Sequence, residues 1–77
     1  MSEYPMYQAP DGRLFKVGER YPGITMFYGF QVKRPGGWWE GCSFLNRGID
    51  SYATPSELQK KLDDYAAQKG WIAVETD

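Results

Sequence analysis

The sequence predicts an α+β domain: a small antiparallel β-sheet of three to five strands, one C-terminal helix packed on one face, and a short terminal strand. Three observations carry this. A capping box opens a single amphipathic stretch near the C-terminus. Residues 24–34 alternate apolar and polar side chains with period two. Pro-Asp-Gly and Pro-Gly-Gly signals separate the extended runs at hairpin intervals. With 77 residues the chain makes one domain, residues 1–77.

Residues 1–5 read as extended and frayed. A first hairpin spans about 5–18. Pro10 presets φ, Asp11 has a turn-making side chain, and Gly12 tolerates positive φ. Strands at about 5–9 and 13–18 flank that turn. Pro22-Gly23 reads as a type II turn or a sharp corner. The second hairpin spans about 24–46. In its first strand Ile24, Met26, Tyr28, Phe30 and Val32 form one apolar face, which is expected to meet the core. "RPGG" at 34–37 turns the chain, and "WWEGCSFLN" is expected to return as a strand at about 38–46. Residues 47–53 form a loop.

The helix is expected over about 55–69. Thr54 is its N-cap, Pro55 presets the first turn, and Glu57 completes the box. Leu58, Leu62, Tyr65 and Ala66 make one apolar stripe. Gly70 ends the helix, with Lys69 near its negative end. "WIAVE" at 71–75 is a short final strand.

Trp38 and Trp39 are adjacent, so an extended backbone sends them to opposite faces. The hairpin register decides which is inside. A two-residue Pro35-Gly36 loop sets Val32 opposite Trp39. Trp39 is then a core residue, and Trp38, Cys42 and Phe44 join Phe27 and Lys33 on the open face. A longer loop with Gly37 as a bulge swaps these sets and brings Glu40 opposite Val32, on the core side. We prefer the first register because a buried carboxylate is costly unless paired. In either register one Trp faces away from the helix, beside Gln31, Lys33 and Arg34. An exposed aromatic among such groups has the composition of a binding face. It equally has the composition of a ring that shields backbone or packs under the first hairpin.

Nine basic and ten acidic side chains leave a net charge of −1, which is not the strongly basic profile of a nucleic-acid binder. The charge is uneven: residues 1–49 hold six basic and four acidic side chains, residues 50–77 three and six. Thirteen aromatics first serve to thicken the core of a small domain. One cysteine excludes an intrachain disulfide, no apolar run spans a membrane, and the start lacks signal-peptide character, so a cytoplasmic protein is expected.

Histidine is absent, which removes His-based acid–base chemistry, Ser-His and Cys-His pairs and most zinc sites. Cys42 has no His to activate it and reads as a buried, inert thiol. Asp63 and Asp64 are neighbours on a helix and point apart, a poor carboxylate pair. "PGG" lacks the spacing and the Lys-Ser/Thr of a phosphate loop. No cofactor, no metal and no enzymatic activity are expected.

Two resemblances add to this. "VKRPGGWWEG" followed by "YATPSELQKKLDDYAA" is similar in layout to three-stranded-sheet-plus-helix DNA-binding domains, of the plant ethylene-response-factor and phage-integrase arm-binding types, over about residues 25–69. That resemblance implies that the sheet face away from the helix reads duplex DNA, with Gln31, Lys33, Arg34, Trp38 and Arg47 at the matching positions. The chain departs from the pattern in having few arginines and in carrying Glu40 in the same hairpin. In size and profile the chain also resembles small phage and mobile-element inhibitors of the anti-CRISPR type, which implies a rigid surface that blocks a larger machine. An acidic helix bearing Glu57, Asp63 and Asp64 suits a basic partner.

The expected function is therefore that of a non-catalytic binding protein occupying a surface of a larger protein or nucleoprotein complex. The alternative is a small domain that reads duplex DNA with its open sheet face. The partner-binding residues are expected among Phe27, Gln31, Lys33, Arg34, Trp38, Phe44, Asp63 and Asp64. No membrane partner is expected, and the protein should be a monomer or a weak homodimer.

Overall fold

The computed structural model describes residues 5–21, 24–50 and 52–74, with the backbone alone at 21 and 24–26. The turn expected at Pro22 and Gly23, the frayed start at 1–4 and Glu75 of the final strand lie outside the described residues.

Among the described residues five strands and two helices follow in the order β1 (Met6–Gln8), β2 (Leu14–Tyr21), β3 (Ile24–Lys33), β4 (Glu40–Gly41), α1 (Ser43–Asn46), α2 (Pro55–Lys69) and β5 (Ile72–Val74). The strands form one antiparallel sheet in the order β4-β3-β2-β1-β5. The α+β class, the main C-terminal helix and the short terminal strand all stand as the sequence predicts.

The β1–β2 turn is built from its local chemistry. Gly12 donates to the Ala9 carbonyl at 2.9 Å and has φ +92°, which closes a type I turn with a glycine bulge. Asp11 accepts from the Arg13 backbone N–H at 3.0 Å and from Arg13 Nε at 2.7 Å.

The β2–β3 ladder sorts the side chains. Phe15 lies opposite Val32, Val17 opposite Phe30 and Glu19 opposite Tyr28. These positions face α2, whose Leu58, Leu62 and Ala66 are buried. Phe15, Phe30, Val32, Cys42, Leu58, Leu62 and Ala9 form the core cluster. The apolar even positions of β3 thus meet the helix as expected from Tyr28 to Val32.

Both halves of the Thr54 capping box are present. Glu57 N–H donates to Thr54 Oγ1 at 3.3 Å and Thr54 N–H donates to Glu57 Oε2 at 2.9 Å. At the other end Gly70 adopts φ 72°, and Trp71 N–H reaches back to the Ala66 carbonyl at 2.9 Å. That six-to-one bond is a Schellman closure. It turns the chain so that Trp71 stacks on Phe15 with centroids 4.2 Å apart, and β5 then pairs with β1.

The second hairpin departs from expectation. Val32 pairs with Glu40 and Gln31 with Gly41, which is not the preferred register. Gly37 N–H donates to the Arg34 carbonyl at 2.8 Å and Gly36 has φ +75°, so Arg34–Gly37 is a type II turn with Pro35 at its second position. A type II turn does not match the twist of a two-residue hairpin and splays the strands. Residues 33–39 therefore stay outside the β3–β4 ladder, and neither Trp38 nor Trp39 is a core residue. Glu40 does sit opposite Val32, but β4 is a two-residue edge strand, and there the carboxylate is exposed and paired with Arg34. The cost of burying it never arises.

The strand expected over 38–46 also ends early, at Gly41. Cys42 N–H donates to the Phe30 carbonyl at 2.9 Å, and the chain then coils into α1. The side chain of Asn46 takes over the ladder. Its Oδ1 accepts from Phe30 N–H at 2.7 Å and its Nδ2 donates to the Phe30 carbonyl at 3.2 Å. One amide side chain thus stands in for a missing strand residue. It lies so close to β3 that a Cβ at Gly29 would come within 2.8 Å of Asn46 Oδ1.

Leu62→Ala should cost about 2–5 kcal/mol through a cavity under α2, and Thr54→Ala about 1 kcal/mol through removal of the cap; chemical denaturation of both variants measures this. Asn46→Ala should cost about 1–3 kcal/mol, because the Phe30 N–H loses its acceptor. The Phe30 amide should then exchange with solvent faster. Unchanged protection at Phe30 would show that Asn46 does not hold the ladder.

Candidate functional site

Among the described residues α2 covers one face of the sheet, and on the other only the segment after β4 reaches the end of the face, through Asn46 and Tyr52. Strand alternation sends Lys16, Gly18 and Arg20 of β2 and Phe27, Gly29, Gln31 and Lys33 of β3 to the open side. Trp39 joins them. Lys16 Nζ lies 4.3 Å from the centroid of its ring, a cation–π contact that anchors the indole to this face.

In the middle of the face two glycines make room for neighbouring side chains: Asn46 and Arg20 lie over Gly29. Gly18 pairs with Gly29, and the Gln31 side chain lies over Gly18, where a Cβ would meet Gln31 Oε1 at 2.8 Å. Gln31 Nε2 donates to the Glu19 carbonyl at 2.7 Å. Gln31 is therefore held down, with its amide already engaged.

At one end of the face a hollow of about 470 Å³ is lined by Arg20, Gly41, Ser43, Asn46 and Arg47. Among the described residues its lining brings two guanidinium groups, an amide and a hydroxyl, and no carboxylate. Alternation places Glu19 on the helix side, and Glu40 lies at the tip, paired with Arg34. Among the described residues, β2, β3 and β4 send no acidic side chain to the open face.

The expected site residues divide into two groups. Gln31, Lys33 and Phe27 lie on the open face, Phe27 with its ring 5.6 Å from that of Tyr52. Arg34 and Trp38 stand at the β3–β4 tip, and Trp38 is 89% exposed. Exposure thus falls on the tryptophan expected to carry it, although the register that led there is not the one adopted.

The others lie elsewhere. Phe44 and Cys42, placed on the open face in the preferred register, belong to the helix side. The coil at α1 carries the Phe44 ring back to 6.2 Å from Phe15, edge-on, and 6.3 Å from Tyr65. Cys42 is a buried free thiol, and burial pushes its pKa up, which keeps it protonated and unreactive.

Asp63 is a half-buried residue of α2. It accepts from Tyr7 O–H at 2.6 Å and from Gln59 Nε2 at 2.8 Å, both on Oδ1. Gln59 is only 4% exposed and also donates to the Pro5 carbonyl at 3.4 Å. Asp63 therefore ties the helix to β1. Asp64 is exposed beside a second hollow of about 490 Å³. That hollow sets Asp50, Glu57 and Asp64 beside Lys60 and Lys61, so it mixes both signs of charge.

Lys16 and Arg20 are functional candidates that the sequence reading does not single out. The signal for them is present in the chain: Phe15 and Val17 are apolar neighbours in alternation, which sends 16, 18 and 20 to the opposite face. Asn46 carries no such signal, because its partner lies sixteen residues away.

Among the described residues there is no cluster of three or more His, Cys, Asp or Glu able to hold a metal, and no helix long and apolar enough to cross a membrane. Comparison with protein-family models, with curated proteins and with solved structures found no match to this chain.

The Tyr7–Asp63 hydrogen bond makes stability depend on alkaline pH. The hydrogen bond to Asp63, then burial, then the Asp63 charge raise the Tyr7 pKa from 10.0 to about 12. Between these values the unfolded chain loses the phenolic proton and the folded chain keeps it. The contribution is therefore complete below pH 10 and disappears as pH rises through about 12. Tyr7→Phe should be less stable than the parent at neutral pH, with the gap closing over that window; denaturation midpoints from pH 8 upward test this. A gap that does not narrow would remove the phenol as its origin.

Proposed function

We propose that this protein is a non-catalytic binding protein that occupies a surface of a larger protein or nucleoprotein complex. The β3–β4 tip and the open sheet face make the contact. The observation that carries this is Trp38, an indole 89% exposed immediately after the type II turn. Trp38 contributes nothing to the core, and a large ring held out in water is costly unless something covers it. The rest of the molecule supports the same reading. Histidine is absent, the one thiol is buried and unreactive, and the helix carboxylates are engaged or set among lysines.

Action by occlusion accords with the resemblance in size and profile to small phage and mobile-element inhibitors of the anti-CRISPR type. The second reading, duplex DNA on the open face, is favoured by the cations there and by the absence of carboxylates among the described residues of that face.

The test is affinity capture from the source organism with parent and Trp38→Ala proteins. Trp38→Ala should fold with an unchanged midpoint and lose its partner by at least about 2 kcal/mol of binding, roughly thirtyfold. Trp39→Ala, which frees Lys16 but opens no cavity in the core, should remain folded as well. A partner retained in full by Trp38→Ala would remove the tip as the anchor.

A further inference from the structure

The two edges of the sheet are finished differently. At one edge β4 is two residues long, carries Glu40, follows a splaying type II turn and gives way to α1 after Cys42. Brevity, charge and bending are the devices by which an edge strand refuses a further strand. The other edge is β5, and among the described residues no strand lies beyond it. β5 shares only the brevity. Residues 71–74 hold no charge and no proline, the register against β1 has no bulge, and Ile72 is 69% exposed. An apolar edge without those devices is a template for pairing. We propose that β5 pairs antiparallel with β5 of a second copy of this chain, joining two sheets into one.

The strand is self-complementary. Ala73 lies opposite Tyr7, whose hydroxyl bonds Asp63 of α2, so Ala73 is on the helix side and Ile72 and Val74 are on the other. With a two-fold axis at Ala73, Ile72 of each copy faces Val74 of the other, which makes two apolar cross-strand pairs. On the helix side Ala73 meets its own copy, methyl to methyl. α2 packs on β2 and β3, so β1 separates it from this edge and the two helices stay apart. The sign of charge in the sequence reverses across the strand, with Lys69 before it and Glu75 and Asp77 after it. Antiparallel pairing sets the start of one strand against the end of the other, so unlike charges approach. The pairing stands apart from the binding reading above; its consequence rests on that reading. The Trp38 tip belongs to the β4 edge, so both tips stay free. The two β4 strands then lie nine inter-strand steps apart, about 43 Å along the joined sheet. Two such contacts on one particle bind a repeated partner with avidity.

The test is analytical ultracentrifugation of the intact protein, with amide exchange at the same concentrations. A three-residue edge is a small interface, so the parent should pass from monomer to dimer between roughly 10 μM and 1 mM. The β5 amides that point away from β1 should exchange more slowly as the dimer fills. Ile72→Lys puts a charge on the edge and should weaken dimerisation at least about tenfold. Its denaturation midpoint should not change, because Ile72 is exposed. Trp38→Ala should dimerise like the parent. A parent still monomeric at about 1 mM overturns the pairing. So does a dimer undiminished by Ile72→Lys, or one whose formation leaves β5 exchange unchanged. If Trp38→Ala retains its partner in full while Ile72 still controls dimerisation, the binding reading falls and the pairing stands. If Ile72→Lys and the parent are both monomers while Trp38-dependent capture persists, only the pairing falls.

Discussion

The ring of Phe15 is the point on which the structure turns. It is completely buried, stacked on Trp71, met edge-on by Phe44 and paired across the ladder with Val32. Full burial of such a ring is worth about 1.5–3 kcal/mol, and aromatic contacts add about 0.5–1.5 kcal/mol per pair. More important is what it joins. Trp71 comes from the end of the chain, Phe44 from the loop after β4, and Phe15 from the middle of the sheet. In a domain this small, three distant segments share one side chain as their meeting point.

The position of Trp71 explains β5. The left-handed turn at Gly70 cannot by itself choose a direction for the chain. Stacking on Phe15 and an edge contact with Tyr65 at 5.1 Å draw Trp71 inward. The next three residues are then carried alongside β1, which is otherwise an edge strand of three residues. The sheet gains its fifth strand because a helix cap and an aromatic stack agree in direction.

The same economy leaves one face of the sheet uncovered. A helix of fifteen residues spans only one side. Leucine and alanine side chains of α2 fill that side. Acidic groups fall on or near α2, where Asp63 holds β1 through Tyr7. Cations fall on the open side, where Lys16 lies against Trp39. The helix itself stays mixed in sign, because Lys60, Lys61 and Lys69 stand among Glu57, Asp63 and Asp64.

The helix, its two caps, the alternating face of β3 and the turn at Pro10–Gly12 were all legible in the order of the residues. Each of these depends on neighbours within a few positions, and Thr54–Glu57 or Gly70 has the same preference in any context. The cations at Lys16 and Arg20 were legible by the same alternation. The register of β4, the inward turn of Cys42 and Phe44, and the duties of Asn46 and Asp63 were settled only when the elements came together. Hairpin register depended on whether Glu40 would be buried. That turned on β4 being a two-residue edge, which the Pro35-Gly36 type II turn favours and the coiling at Cys42 completes. Asn46 and Asp63 found their partners sixteen and fifty-six residues away. An amide or a carboxylate has the same local preferences whether it faces water, a ladder or a tyrosine, so only the assembled fold could choose among them.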